Sequence, residues 1–205
     1  MVRDVDHGDI AFLNVILSKL FSKENDVHLN LDAIIPPMPM SELIWLAPIR
    51  TKPKRVYHEY KLDFTPEGEH TPYLLRKILA GKLGAKYKKF IKNFGKNSGL
   101  LENVKIKNFG SGANVPFEVD IVIGDRPLSI KNVGYGVSQC LPLLTEVFAR
   151  KKSTSFAIQQ PEVHLHPRAQ AALGDVFYAL SSLENKKFFV ETHSDYTIRR
   201  FLYNY

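Results

Sequence analysis

The chain has 205 residues, 44% of them hydrophobic, and 28 Lys and Arg against 21 Asp and Glu give it a formal charge of +7. That is enough apolar material for one core but not two, and no apolar run reaches the length of a membrane-spanning helix. The only cysteine, Cys140, excludes an internal disulfide framework and points to a reducing cytoplasm, and the start MVRDVDHGD has no apolar stretch of the signal-peptide kind.

Residues 10–21 are predicted as an amphipathic helix through Ile10, Leu13, Leu17, Leu20 and Phe21, and residues 23–45, with Pro36, Pro37 and Pro39, as a loop-rich connection. Further on, Arg76, Lys77, Lys82, Lys86, Lys88, Lys89, Lys92, Lys96, Lys105 and Lys107 are opposed by Glu102 alone. Leu75, Ile78, Leu79, Leu83, Tyr87, Phe90, Ile91 and Phe94 fall at helical spacing within this stretch, so it reads as a basic amphipathic helix, or a pair broken near Gly81 and Gly84. Such a face can neutralise the phosphates of DNA or RNA, or can simply be solvated.

Phe117, Val119, Ile121 and Ile123 alternate with Glu118 and Asp120, and Gly124-Asp-Arg126 turns the chain into Pro127-Leu-Ser-Ile130. This hairpin delivers the segment Val133-Gly-Tyr-Gly-Val-Ser-Gln139. Gly134 and Gly136 leave the backbone amides of a helix start approachable, which makes an anion site or, more blandly, a tight turn. The helix over residues 137–151 takes its apolar side from Cys140, Leu144, Val147 and Phe148, with Cys140 as a small buried hydrophobe.

Ser155-Phe-Ala-Ile is a short apolar run with polar ends, as in a parallel strand covered on both faces. Gln159, Gln160 and Glu162 follow at its carboxyl end. Pro167 then opens a helix whose Leu173, Val176, Phe177 and Leu180 face a core. Lys187-Phe-Phe-Val-Glu191 is a second strand, ending in Thr192, His193 and Ser194, and Asp195 is placed to cap the last helix. Strand, helix, strand, helix is the unit of a layered α/β fold, and polar residues beyond its strand ends lie where such sheets hold ligands.

In this order, GYGVSQ, QQPEVHLHP and ETHSD resemble the signature, Walker B and switch-histidine segments of ABC-type ATPases. The nearest likeness is to the OLD- and SMC-like AAA ATPases, many of which serve in bacterial defence against phage or in DNA metabolism. Leu46-Ala-Pro-Ile-Arg50, with Pro53 and Tyr57, is similar to that family's region ahead of its helical insertion, and the likeness spans about residues 41–202.

The resemblance implies an α/β fold: part of a P-loop NTPase head of the ABC type, with parallel strands, a helical insertion and a small antiparallel hairpin. It implies a single domain over residues 1–205. Residues 1–110 would be mainly insertion and connecting segments, and 111–205 the signature, Walker B-like and switch core. ATP and Mg2+ are the implied cofactors. Gly134, Tyr135, Gly136, Ser138 and Gln139 would contact the γ-phosphate of ATP held by a partner protomer, and His193 would hydrogen-bond it.

Gln159 falls at the magnesium-orienting acid and Gln160 at the water-polarising glutamate. A neutral amide cannot act as a base and is a poorer ligand for a hard cation. Glu162 is the nearest substitute, or else a turn residue bonding the proline loop. No GxxxxGK[ST] phosphate loop occurs, since Gly81-Lys82, Gly95-Lys96 and Gly110-Ser-Gly112 each lack part of it. The expectation is the carboxyl-terminal portion of a head, working as a homodimer or with a Walker A-bearing subunit and hydrolysing little ATP alone.

Two other readings stand beside this one. The chain could be a non-catalytic subunit that binds DNA or RNA through Arg76 to Lys107. It could also be a metal-dependent hydrolase, because His164 and His166 share one face of an extended segment and His193 and Asp195 could complete a ligand set.

Overall fold

The computed structural model describes residues 43–58, 63–112 and 115–205. The predicted helix over residues 10–21 lies outside them, as does the connection over 23–45 except for its last three positions. In chain order the elements are β1 (Leu43–Leu46), α1 (Thr71–Ala80), α2 (Gly84–Ser98), β2 (Asn103–Asn108), β3 (Phe117–Ile123), β4 (Arg126–Ser129), α3 (Tyr135–Ala149), β5 (Ser155–Gln159), α4 (Pro167–Glu184), β6 (Lys187–Glu191) and α5 (Asp195–Asn204).

One sheet is parallel, in the order β1-β5-β6, and the other antiparallel, in the order β2-β3-β4. The α/β class is therefore as expected. The parallel sheet has three described strands rather than two, because Leu43–Leu46, whose first three residues fall in the stretch read from the sequence as loop, pairs with Ser155 to Ile158.

The parallel sheet forms because its strands bury aromatic and branched side chains on both faces. Phe156 and Phe188 are opposite each other in the β5–β6 register and stack with ring centroids 5.4 Å apart, and Phe177 of α4 adds a third ring 5.0 Å from Phe188. Each such side chain contributes about 1.5–3 kcal/mol by leaving water. Helix α4 begins at Pro167, where no amide hydrogen is needed, and ends at Asn185 in the left-handed region (φ 50°). Leu173, Val176, Phe177 and Leu180 face inward, as the spacing predicts.

The basic stretch resolves into two helices and a strand, so Lys105 and Lys107 stand on β2 rather than on a helical face. Several of its charges are engaged internally. The Arg76 guanidinium donates to the carbonyls of Gly112 and Val115 and lies 4.8 Å over the Phe117 ring. Lys107 pairs with Glu118, and Lys86 with Glu184. The hairpin forms as predicted from β3 and β4, although Glu118 is buried where a simple alternation would expose it.

Helix α3 starts two residues before the predicted position and is buried on nearly every side from Val137 to Val147. Its polar side chains must therefore find partners inside the protein. Thr145 donates to the Leu141 carbonyl and meets the Tyr87 hydroxyl of α2 at 3.0 Å. Glu146 accepts from His70 Nε2 at 2.9 Å and pairs with Arg150 one turn on. The Thr65 amide donates to His70 Nδ1, so the ring hydrogen sits on Nε2 and points at the carboxylate. Cys140 is buried as expected, and burial pushes its thiol up to about 12. Among the described residues, no helix is long and apolar enough to cross a membrane.

Burial alone would raise the Glu146 carboxyl, but the hydrogen bond from His70 and the charge of Arg150 outweigh it and hold the group below its ordinary value of 4.5. A depressed carboxyl stabilises the fold above that value, and the contribution is lost as pH falls through the folded-state value. Glu146→Gln is expected to cost about 1–3 kcal/mol at neutral pH and to flatten the acid limb of stability. Denaturant unfolding of parent and variant from neutral pH to below pH 4.5 measures both effects. An unchanged acid limb would contradict the assignment.

Candidate functional site

The carboxyl ends of the parallel strands carry a row of polar side chains that hold one another. Gln159, at the end of the central strand β5, donates through Nε2 to Glu191 of β6 at 2.9 Å and accepts through Oε1 from the Trp45 indole of β1 at 3.0 Å. The chemistry fixes this orientation, because a carboxylate only accepts and an indole N–H only donates. The amide oxygen expected near magnesium is thus already engaged by Trp45. The oxygen-rich groups at this edge are the carboxylates of Glu191 and Glu162.

Beyond Gln159 the chain turns sharply. The Gln160 amide continues the ladder by donating to the Glu191 carbonyl at 2.8 Å, while Gln160 and His164 adopt φ of 43° and 64°. Left-handed backbone costs roughly 1–2 kcal/mol at each such non-glycine residue, so the loop over 160–166 is held in place by its surroundings. Glu162 is one of those holds, accepting at Oε1 from the His193 backbone amide at 2.7 Å. Gln170 of α4 is another. It donates to the Leu165 carbonyl and accepts from the Ser194 hydroxyl, both at 2.7 Å. Ser194, rather than the predicted Asp195, caps α5, its hydroxyl accepting from the Thr197 amide at 3.0 Å. Asp195 is exposed in the first turn of that helix.

The segment around Gly134 meets the same loop. An added Cβ at Gly136 would come within 2.9 Å of the His164 carbonyl, so the glycine permits this close packing. A Cβ at Gly134 would meet nothing within 4 Å. Gly134 is exposed, its backbone is extended (φ −60°, ψ 153°), and the chain's own packing does not require glycine there. Tyr135 is 58% exposed, and its ring rests 5.4 Å from that of His164. As the first residues of α3, Tyr135 and Gly136 present backbone amides that have no partner within the helix.

Ser138 and Gln139 do not join this surface. The Ser138 hydroxyl donates to the Tyr135 carbonyl, and Gln139 is buried, its amide both accepting from the Arg50 N–H at 2.9 Å and donating to the Arg50 carbonyl at 3.2 Å. Arg50 is thereby held 2% exposed, its Nη1 and Nη2 buried without hydrogen-bond partners among the described residues, and the same is true of the second Glu162 oxygen. Burial lowers the Arg50 guanidinium from its ordinary value, opposed by the nearby Cys140 and Glu162. Glu162 is therefore tied to the His193 amide through one oxygen and buried at the other, rather than set as a base open to water.

Exposed groups at this edge include Trp45, Gly134, Tyr135, His164 and His193, with Gln160 half-buried. The histidines of the metal-hydrolase reading are not gathered into a ligand set. Among the described residues no group of three His, Cys, Asp or Glu side chains could hold a metal ion. His166 Nδ1 caps α4 by accepting from the Ala169 amide, and His164 turns toward Tyr135.

Trp45, Arg50 and Gln170 were not singled out from the sequence. Arg50 lay within a quoted motif, but nothing in its neighbours signals that it would be buried.

A family model described as an AAA ATPase domain matches residues 47–198. No curated protein matches the chain. Among solved structures, the chain is similar to the Smc head domain with an extended coiled coil bound to the C-terminal domain of ScpA from Pyrococcus furiosus, at 14% identity and a TM-score of 0.44, covering 64% of this chain and 32% of that one. It is also similar to the Smc head domain with a coiled coil and joint from Pyrococcus yayanosii, at 15% identity and a TM-score of 0.44, covering 66% and 26%. A third structure, concerned with ATP-driven dimerization and DNA-stimulated activation of SMC ATPases, gives 14% identity and a TM-score of 0.42, covering 63% and 77%.

Gln159→Glu would set two carboxylates within hydrogen-bond distance, so one must keep a proton and its folded-state pKa rises above the unfolded value. Stability from such a group is present at low pH and lost as pH rises. The variant is expected to be about 1–3 kcal/mol less stable than the parent at neutral pH, with the gap closing toward about pH 4. Denaturation midpoints across this range test it, and a gap independent of pH would count against the three-strand bridge.

Proposed function

With the chain a member of the AAA ATPase domain family, we propose that it supplies the signature and switch-histidine side of a composite ATP site. The phosphate-gripping side would come from a second copy or from a partner subunit bearing GxxxxGK[ST]. One observation carries the reading: the Gly134 segment and His193 both anchor on the loop over 160–166, through Gly136 against His164 and through Glu162 to the His193 amide.

The groups present fit a bound polyanion in part. The Tyr135 and Gly136 amides head a helix, where anions are favoured, and His193 offers an exposed imidazole. The open space over Gly134 admits close approach. ATP with magnesium would bring the triphosphate charge and the metal that shields it. Glu191 would offer the hard oxygen at this edge. Gln159, Ser138 and Gln139 position their neighbours instead of reaching the ligand.

Neither Gln160, a neutral amide, nor Glu162, braced and half-buried, is poised to activate water. On the resemblance to OLD- and SMC-like ATPases, the setting we favour is phage defence or DNA metabolism.

Purified residues 1–205 are accordingly expected to hydrolyse Mg·ATP about two to four decades more slowly than an enzyme with a positioned base. Steady-state phosphate release checks this. Magnesium-dependent turnover by the pure chain at roughly 1 s⁻¹ or more would overturn the proposal.

A second reading rests on its own observation. Lys88, Lys92 and Lys96 recur at four-residue spacing on α2, exposed and in no ion pair among the described residues. This ridge supports salt-sensitive contact with DNA or RNA backbones. Reversing the three to glutamate is expected to abolish retention of a duplex oligonucleotide at low salt, and unchanged retention would remove the reading.

A further inference from the structure

Away from the strand ends, α2 and α4 splay to leave a trough of about 420 Å³. Its floor and walls are apolar: Phe90, Phe148, Val176 and Leu180, with Leu183 at the lip 77% exposed. The two acids that border it are already neutralised. Glu184 is held by Lys86 at 3.1 Å and by the buried Lys186 at 2.7 Å, and Asp175 by Arg200 at 2.7 Å. The charge left at the rim is positive. Lys89 lines the trough unpaired among the described residues, on a helix that carries five lysines and not one acid.

We propose that this trough docks an acidic amphipathic helix from a partner protein. The match is one of charge and shape. An apolar stripe at i, i+3, i+4 and i+7 fills a channel between two helices, and acidic flanks meet the lysines of α2. Nucleic acid suits the trough less well, because phosphates gain nothing from an aromatic and aliphatic floor. A second copy would bring the same lysine-rich α2 against its twin. The site is separate from the proposed nucleotide edge and stands or falls independently of it.

The test uses the whole chain and a labelled synthetic 18-residue helical peptide with leucine at the stripe positions and glutamate on both flanks, read by fluorescence anisotropy. Saturable binding that weakens with salt is expected, with none for a scrambled peptide of the same composition. Ala179→Arg, which fills the trough, and Leu183→Asp, at an exposed position that cannot disturb the core, are each expected to weaken binding by about tenfold or more. Circular dichroism checks that both fold, and Leu183→Asp decides if the other does not. Absence of binding, equal binding of the scrambled peptide, or indifference to Leu183→Asp would overturn the proposal. So would a single-stranded oligonucleotide whose binding the same variant abolishes while leaving the peptide unaffected.

Discussion

The rest of the site depends on one constraint: side chains at the ends of adjacent parallel strands sit about 4.8 Å apart and must satisfy one another's hydrogen bonds. Gln159 meets it by using both ends of its amide, taking the Trp45 indole hydrogen on one side and giving a hydrogen to Glu191 on the other. No carboxylate could do the same, since it has nothing to give. The glutamine and the glutamate are thus complementary, and the neutral residue at 159 follows from the charged one at 191. With the three strand ends clasped, the loop over 160–166 can be carried in two left-handed residues and still deliver Glu162 to His193.

The same logic governs α3. An amphipathic helix turns its polar residues to water, but this one lies inside the molecule, so Ser138, Gln139, Thr145 and Glu146 each bond to a different element or to the helix itself. Arg50 is the exception. Its backbone is satisfied by Gln139, while its terminal guanidinium nitrogens, like one Glu162 oxygen, are buried with no hydrogen-bond partner among the described residues. Desolvated charge of this kind costs several kcal/mol unless something answers it, and so it concentrates unmet electrostatic demand just behind the exposed edge.

Much of the architecture was legible because its signals are local. The strands β5 and β6, the hairpin, and the start of α4 at Pro167 follow from short apolar runs, alternation and a proline. β1 was not legible, because it is four residues long and follows a proline-rich stretch. β2 was missed because NVKIKN buries only Val104 fully, so its lysines were counted with a helical face. The site was legible in its membership more than in its orientation. Sequence order brought the three segments into one argument, but whether a given polar residue points to ligand or to protein depends on neighbours far along the chain, as Gln139 does on Arg50 across 89 positions. Adjacent Ser194 and Asp195 are both competent caps, and only the geometry chose the serine.

Helix α3 crosses the interior as one element, buried along most of its length and interrupted only by the amide that Pro142 lacks. Its first turn is visible to whatever touches Tyr135, and its last turns are locked to His70 at the base of α1 and, through the Val147 carbonyl, to the ammonium of Lys186. A push on the tip would be taken up at the break that Pro142 leaves in the hydrogen-bond ladder or be felt some 20 Å away, the length of fifteen helical residues at about 1.5 Å each.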